Sequence, residues 1–254
     1  MEDQKQYISL IEKAHEYAQR GFFYSCLRCL DIEDARDDGD NLLRGFCYLE
    51  NQQEAELINL FDTVVTMKDE DCMVGWLSLQ SYYFSTKKDY YKAATIAQEA
   101  LCINKQAPRA LFDTAENLFL AGRQKAAERY FESLLSLCES NPEAKYLSPY
   151  VFFYQNDIIR TIGTVTDILL EDSTALSWLL AADIYALVEE YSLTEHCLKE
   201  SFAKGLFCTG SLFCDSCLEK FLNSSHYYYA FVENYIGWRR RIDIENAKLI
   251  VTNE

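Results

Sequence analysis

The chain has 254 residues, of which 49% are hydrophobic and 25% charged, and it is long enough to bury a core of its own. Only 3 Pro and 9 Gly are spread along it, which argues against a turn-rich sandwich or barrel and for long helices with short connections. The net charge of −16 lacks the basic footprint that nucleic acid or an anionic membrane needs, and an exposed basic segment of another protein suits it better.

The first residues, Met1 to Gln6, are polar, so no secretory signal is expected there. No apolar run reaches the ~20 residues of a membrane helix; Asp183 interrupts the run from Leu176 to Val188. The ten cysteines are dispersed and no export signal accompanies them, so they are expected as reduced, small hydrophobes of a nuclear or cytoplasmic protein.

In chain order, Ile11, Ala14 and Tyr17 precede Gly21-Phe22-Phe23, and Cys26, Leu27 and Leu30 follow at helical spacing. Asp31 to Asp40 holds six acids and one Arg, and reads as a solvated loop. A second unit runs through Leu43, Phe46, Cys47 and Tyr48, then Ala55, Ile58, Leu60 and Phe61.

The next two segments align without a gap at an offset of 34. Leu77 maps to Leu111, Ser81 to Ala115, Phe84 to Leu118, Ala93 to Ala127, Ala97 to Phe131 and Ala100 to Leu134. Small residues at Ala93, Ala97 and Ala100 let the second helix of a pair approach the first closely. Gly122 marks a turn, and Asn141-Pro142 reads as a helix stop. From Glu143 to Asp172 the length suits a degenerate unit, with Pro149 expected to shorten or bend its first helix and Ile158, Ile162, Val165 and Ile168 striping the second. Trp178-x-x-Ala181-Ala182-x-x-Tyr185 opens another unit, continued by Tyr191, Leu198 and Phe202. Leu212 to Phe221 and Tyr227 to Trp238 read as a final helix pair.

A period of 34 with small and aromatic positions in register is similar to the tetratricopeptide repeat, as is the spacing Trp76-x-x-Leu79-x-x-x-Tyr83. The resemblance implies an all-α, right-handed α-solenoid of about six antiparallel helix pairs, read as one superhelical domain over 1–254. The clearest repeats are 73–107, 108–142 and 175–208; the degenerate ones are 4–30, 41–66, 143–172 and 210–241.

Motifs for chemistry are lacking. His15, His196 and His226 sit in no zinc or nucleophile spacing, and no G-x-x-x-x-G-K-[ST], G-x-G-x-x-G or G-x-S-x-G occurs. The expectation is a protein that is not an enzyme, with no cofactor and no metal. Two C-x-x-C pairs, Cys26/Cys29 and Cys214/Cys217, have zinc-site spacing, but each falls in a helical stripe at i, i+3 and reads as structural. Trp238-Arg239-Arg240-Arg241 is the basic cluster of the chain and reads as a helix end.

Solenoids of this type present a groove lined by the first helix of each repeat. Carrying the family's groove positions over gives Leu77, Ser81 and Phe84, then Phe112, Glu116 and Phe119, then Leu179 and Asp183, an aromatic and mildly acidic surface. The Lys and Asn with which chaperone-binding members grip a terminal carboxylate are absent at these positions. A narrower resemblance is to the repeat subunits of the anaphase-promoting complex, carried by Ala14-His15-Glu16-Tyr17-Ala18, Asn41 to Leu49 and Ala175 to Tyr185. It implies a non-catalytic scaffold of a ubiquitin ligase in the cell cycle, homodimeric through its groove and joined to other subunits. The other reading is a monomeric adaptor that holds a peptide or helix in another pathway.

Overall fold

The computed structural model describes residues 9–205, 218, 220–222 and 226–250. Among these there is no strand. The helices are α1 (Leu10–Gln19), α2 (Phe23–Ile32), α3 (Asp38–Glu50), α4 (Glu54–Thr63), α5 (Glu70–Thr86), α6 (Tyr90–Ile103) and α7 (Pro108–Leu120). They continue with α8 (Gln124–Leu135), α9 (Pro142–Tyr154), α10 (Ile158–Glu171), α11 (Ala175–Leu187), α12 (Tyr191–Ala203) and α13 (His226–Leu249). The chain forms two compact units, one holding α1–α4 and α13 and the other α5–α12.

Among the described residues, six antiparallel helix pairs are each closed by a turn of three residues. The middle residue of every such turn is left-handed: Gly21, Gln52, Lys88, Gly122, Asn156 and Glu189 have φ of 69°, 58°, 62°, 79°, 60° and 61°. The next residue then donates its N–H to a carbonyl five positions back, as in Asp89 to Phe84 (3.0 Å), Arg123 to Leu118 (2.8 Å) and Glu190 to Tyr185 (2.9 Å). This double-backed closure uses carbonyls that the helix end would otherwise leave unpaired. Asp89 and Asp157 serve twice, closing the turn and capping the next helix through Lys92 N–H and Arg160 N–H.

In the unit of α5–α12, each pair packs on its neighbours, and consecutive first helices lie side by side, α5 on α7, α7 on α9 and α9 on α11. Leu111, Phe112, Phe131, Leu134 and Val151 share one core, and Leu77, Ile96, Ala100 and Ala110 another. Ala93, Ala97, Ala100 and Ala127 are fully buried, as their expected role in close helix approach requires. Trp76 is also fully buried.

Two proline expectations change. Asn141-Pro142 starts α9 rather than stopping α8, which already ends at Leu135; Asn141 Oδ1 accepts from the N–H groups of Glu143 and Ala144, and Pro142 takes the first helical position. Pro149 does not shorten α9, which at 13 residues equals α7 and α11. A proline there cannot donate to the Lys145 carbonyl, and the Ser148 hydroxyl supplies the missing donor at 2.7 Å.

In the unit of α1–α4 and α13, Ala14, Phe23, Cys26, Cys29, Leu30 and Cys47 form the core. The acidic segment is a solvated connection only over 33–37, where Glu33, Asp34 and Asp37 are exposed; its two ends belong to α2 and α3. Asp37 caps α3 in a reciprocal box with Asp40, and Asp31, on α2, pairs at 2.5 Å with Arg44, which is 1% exposed. The basic cluster is not a helix end either, because α13 runs on past it to Leu249 and packs on α2. The first half of the expected final pair falls largely outside the described residues.

Candidate protein-binding face

The first helices of the second unit share an equivalent face, and the left-handed turn residues supply its register. Phe112, Glu116 and Phe119 lie ten, six and three residues before Gly122. Counted back from Lys88, the equivalents are Ser78, Tyr82 and Ser85; from Asn156 they are Tyr146, Tyr150 and Phe153; from Glu189 they are Leu179, Asp183 and Ala186. The expected trio Leu77, Ser81 and Phe84 is therefore one residue out of step with the other two sets. Its members do other work: Leu77 is 5% exposed in the core, the Ser81 hydroxyl is fully buried and donates to the Ala93 carbonyl at 2.9 Å, and half-buried Phe84 lies under Lys92 Nζ at 3.6 Å.

Of the other expected groove residues, Phe112 and Asp183 are buried, and Glu116, Phe119 and Leu179 are half-buried. The structure joins four of these through α9, which the spacing argument left out. The Tyr150 ring sits 5.6 Å from that of Phe112, and its hydroxyl donates to Asp183 Oδ2. The Tyr154 ring lies tilted 4.9 Å from that of Phe119, and its hydroxyl donates to Glu116 Oε1 at 2.7 Å. Tyr146 donates to Asp172. Leu179 is not part of these contacts. Three tyrosines spaced four apart on one helix thus tie down carboxylates from both sides, with each aromatic pair contributing about 0.5–1.5 kcal/mol.

Arg109 supplies the positive charge. Its Nε lies 2.9 Å from Asp113 Oδ1, and its guanidinium is 5.9 Å from the Tyr82 ring and 6.0 Å from that of Phe112. The Arg109 side chain is 40% exposed, whereas Asp113 keeps only 3%. The Asp113 carboxylate holds Arg109 above its ordinary value. Burial in turn raises Asp113 to about 6, and the attraction of Arg109 offsets that only in part. Asp113 and Asn117 stand where the preceding repeat has the core residues Leu79 and Tyr83, 34 positions earlier. A charge at a core position is the signal in the sequence that could have drawn attention here.

The groups that this face offers are aromatic rings, phenol hydroxyls, carboxylates and one guanidinium. Among the described residues, no group of three or more His, Cys, Asp or Glu is placed to hold a metal ion, and no helix is long and apolar enough to cross a membrane. Cys26 and Cys29 are fully buried, and burial raises Cys29 to about 11; Cys214 and Cys217 lie outside the described residues.

No family model matches the chain, and no curated protein does. Among solved structures, it is similar to a tetratricopeptide repeat protein from Parabacteroides merdae ATCC 43184, at 14% identity and a TM-score of 0.47 over 96% of this chain and 93% of that one. The fold assignment stands on the helix pairs and their turns.

Proposed function

We propose that the protein is a non-catalytic scaffold that holds a segment of another protein against the first-helix face of α5, α7, α9 and α11. The observation that carries this is the shared face itself, on which half-buried Tyr82 is held by Arg109, Glu116 by Tyr154, and Tyr150 by Asp183. Half-buried aromatics with fixed hydroxyls offer contact area at little further entropic cost. The carboxylates of Glu116, Asp172 and Asp183, in a chain of net charge −16, favour a segment that carries Lys or Arg.

The test is affinity capture from the native cell with the wild type and with Tyr82→Ala/Glu116→Lys, followed by mass spectrometry. Partners retained by the wild type and lost by the double variant are expected; an unchanged partner set sinks the assignment of this face. The narrower reading, a subunit of an anaphase-promoting complex in nucleus or cytoplasm that self-associates through its repeats, is supported by the sequence strings around Ala14, Leu43 and Ala175. It requires other subunits of that complex in the captured set, and a dimer by light scattering that Phe119→Asp dissociates. A monomer at micromolar concentration removes it and leaves the adaptor reading.

A further inference from the structure

The turn between α1 and α2 is short of partners by its own sequence. The position before α2 is held by Phe22, whose side chain can accept nothing from the first N–H groups of the helix. The missing acceptor comes from α13. Asp243, 3% exposed, accepts from Tyr24 N–H at 2.7 Å through Oδ2, and from Ser25 N–H at 2.9 Å and Ser25 Oγ at 2.6 Å through Oδ1. A carboxylate at a helix N-terminus also meets the positive end of its dipole.

One helical turn earlier on α13, Arg239 does the converse. Its Nη2 donates at 2.7 Å to the carbonyl of Arg20, the residue that caps the C-terminal end of α1, and its guanidinium lies 4.7 Å from the Phe22 ring. Arg239 and Asp243, at i and i+4, thus face the C-terminal end of α1 and the N-terminal end of α2 together. Both contacts span 218 or 219 residues of chain. Beyond them, Ile244, Ala247 and Lys248 form one wall of a cleft of about 550 Å³ whose other wall includes Tyr24, Leu27 and Tyr48.

We propose that Arg239 and Asp243 form a two-point latch by which α13 closes over the outer face of α2 and, when released, uncovers it. The two contacts open together, because they lie one turn apart on a single helix: the carboxylate of Asp243 is buried only while α13 is docked, and the exposed bond of Arg239 holds the helix in that position. The latch acts on the first unit alone and is independent of the face assigned above.

Hydrogen exchange on the full chain tests this, comparing wild type with Asp243→Ala, Arg239→Ala and the double variant. Expected is exchange about tenfold faster or more in both 22–27 and 239–249 in each single variant, little further gain in the double, and unchanged protection in α7 and α8. Hydroxyl-radical footprinting should show faster oxidation of Leu27, which is 7% exposed when α13 is docked. Faster exchange in 22–27 with wild-type protection across 239–249 overturns the latch and leaves Asp243 a helix cap. Additive single effects, or no effect, overturn it as well. Should Asp243→Ala fail to fold, Ser25→Ala, which removes one of the three bonds, should give the same paired acceleration at smaller size.

Discussion

Asp113→Asn removes a charge that burial opposes and keeps an oxygen to accept from Arg109 Nε. The wild-type carboxyl titrates at about 6 in the fold against an ordinary 3.8, a rise of about 2 units, which corresponds to about 3 kcal/mol. Because the folded value is raised, the fold binds this proton more tightly than the unfolded chain does. The associated stability is fully present below about pH 4 and is lost as pH rises through about 6. Arg109 is partly exposed, so water screens its attraction for the carboxylate, and burial remains the larger effect. The variant is therefore expected to match wild type near pH 4 and to exceed it at pH 7.5 by about 2–3 kcal/mol, or about 5–10 °C in Tm for a unit of this size. Thermal melts of both proteins from pH 4 to pH 8, read as the difference between them, cancel the titration of the other carboxylates. A difference that stays flat, or a variant less stable at pH 7.5, refutes the account of Asp113 as a charge held against its burial.

The left-handed turns give an opposed pair. Lys88→Gly should raise Tm by relieving about 1 kcal/mol of backbone strain, and Gly122→Ala should lower it by a similar amount, since a Cβ there meets nothing within 4 Å and only the backbone is at issue. Ser148→Ala should cost about 1–2 kcal/mol by orphaning the Lys145 carbonyl, and Pro149→Ala, which restores the backbone donor, should abolish most of that cost in a double-mutant cycle of chemical denaturation. Trp76→Ala should cost about 3–5 kcal/mol in the same assay, because the fully buried indole leaves a cavity its helix cannot collapse.

The helix pairs were legible because buried stripes recur at helical spacing, and Ala93, Ala97 and Ala127 are small for the geometric reason expected of them. Register within the first helices was harder to read. Only two of the six closing turns announce themselves with glycine; Gln52, Lys88, Asn156 and Glu189 adopt the same backbone without that signal. The offset of 34 already sets Ser78 opposite Phe112, and the groove trio begun at Leu77 is one residue early against it. Pro149 misled because the remedy for its missing donor is a hydroxyl on the residue before it, a compensation invisible to a rule about proline alone. The Asp113 site was present in the alignment as a carboxylate opposite Leu79, a mismatch that periodicity treats as noise. The contacts of Arg239 and Asp243 had no local trace, because their partners are more than 200 residues away in the chain.

The two kinds of connection differ in how much length they can absorb. Within every pair the turn is three residues and its closing hydrogen bond fixes that number. Between pairs the connection varies from three residues at 172–174 to six at 136–141. Length change in a chain of this design therefore has permitted sites and forbidden ones. An inserted epitope or fluorescent tag should be accepted at 136–141 with both flanking pairs intact, and the same insert at 87–89 would unpick the bond from Asp89 to Phe84 and separate α5 from α6.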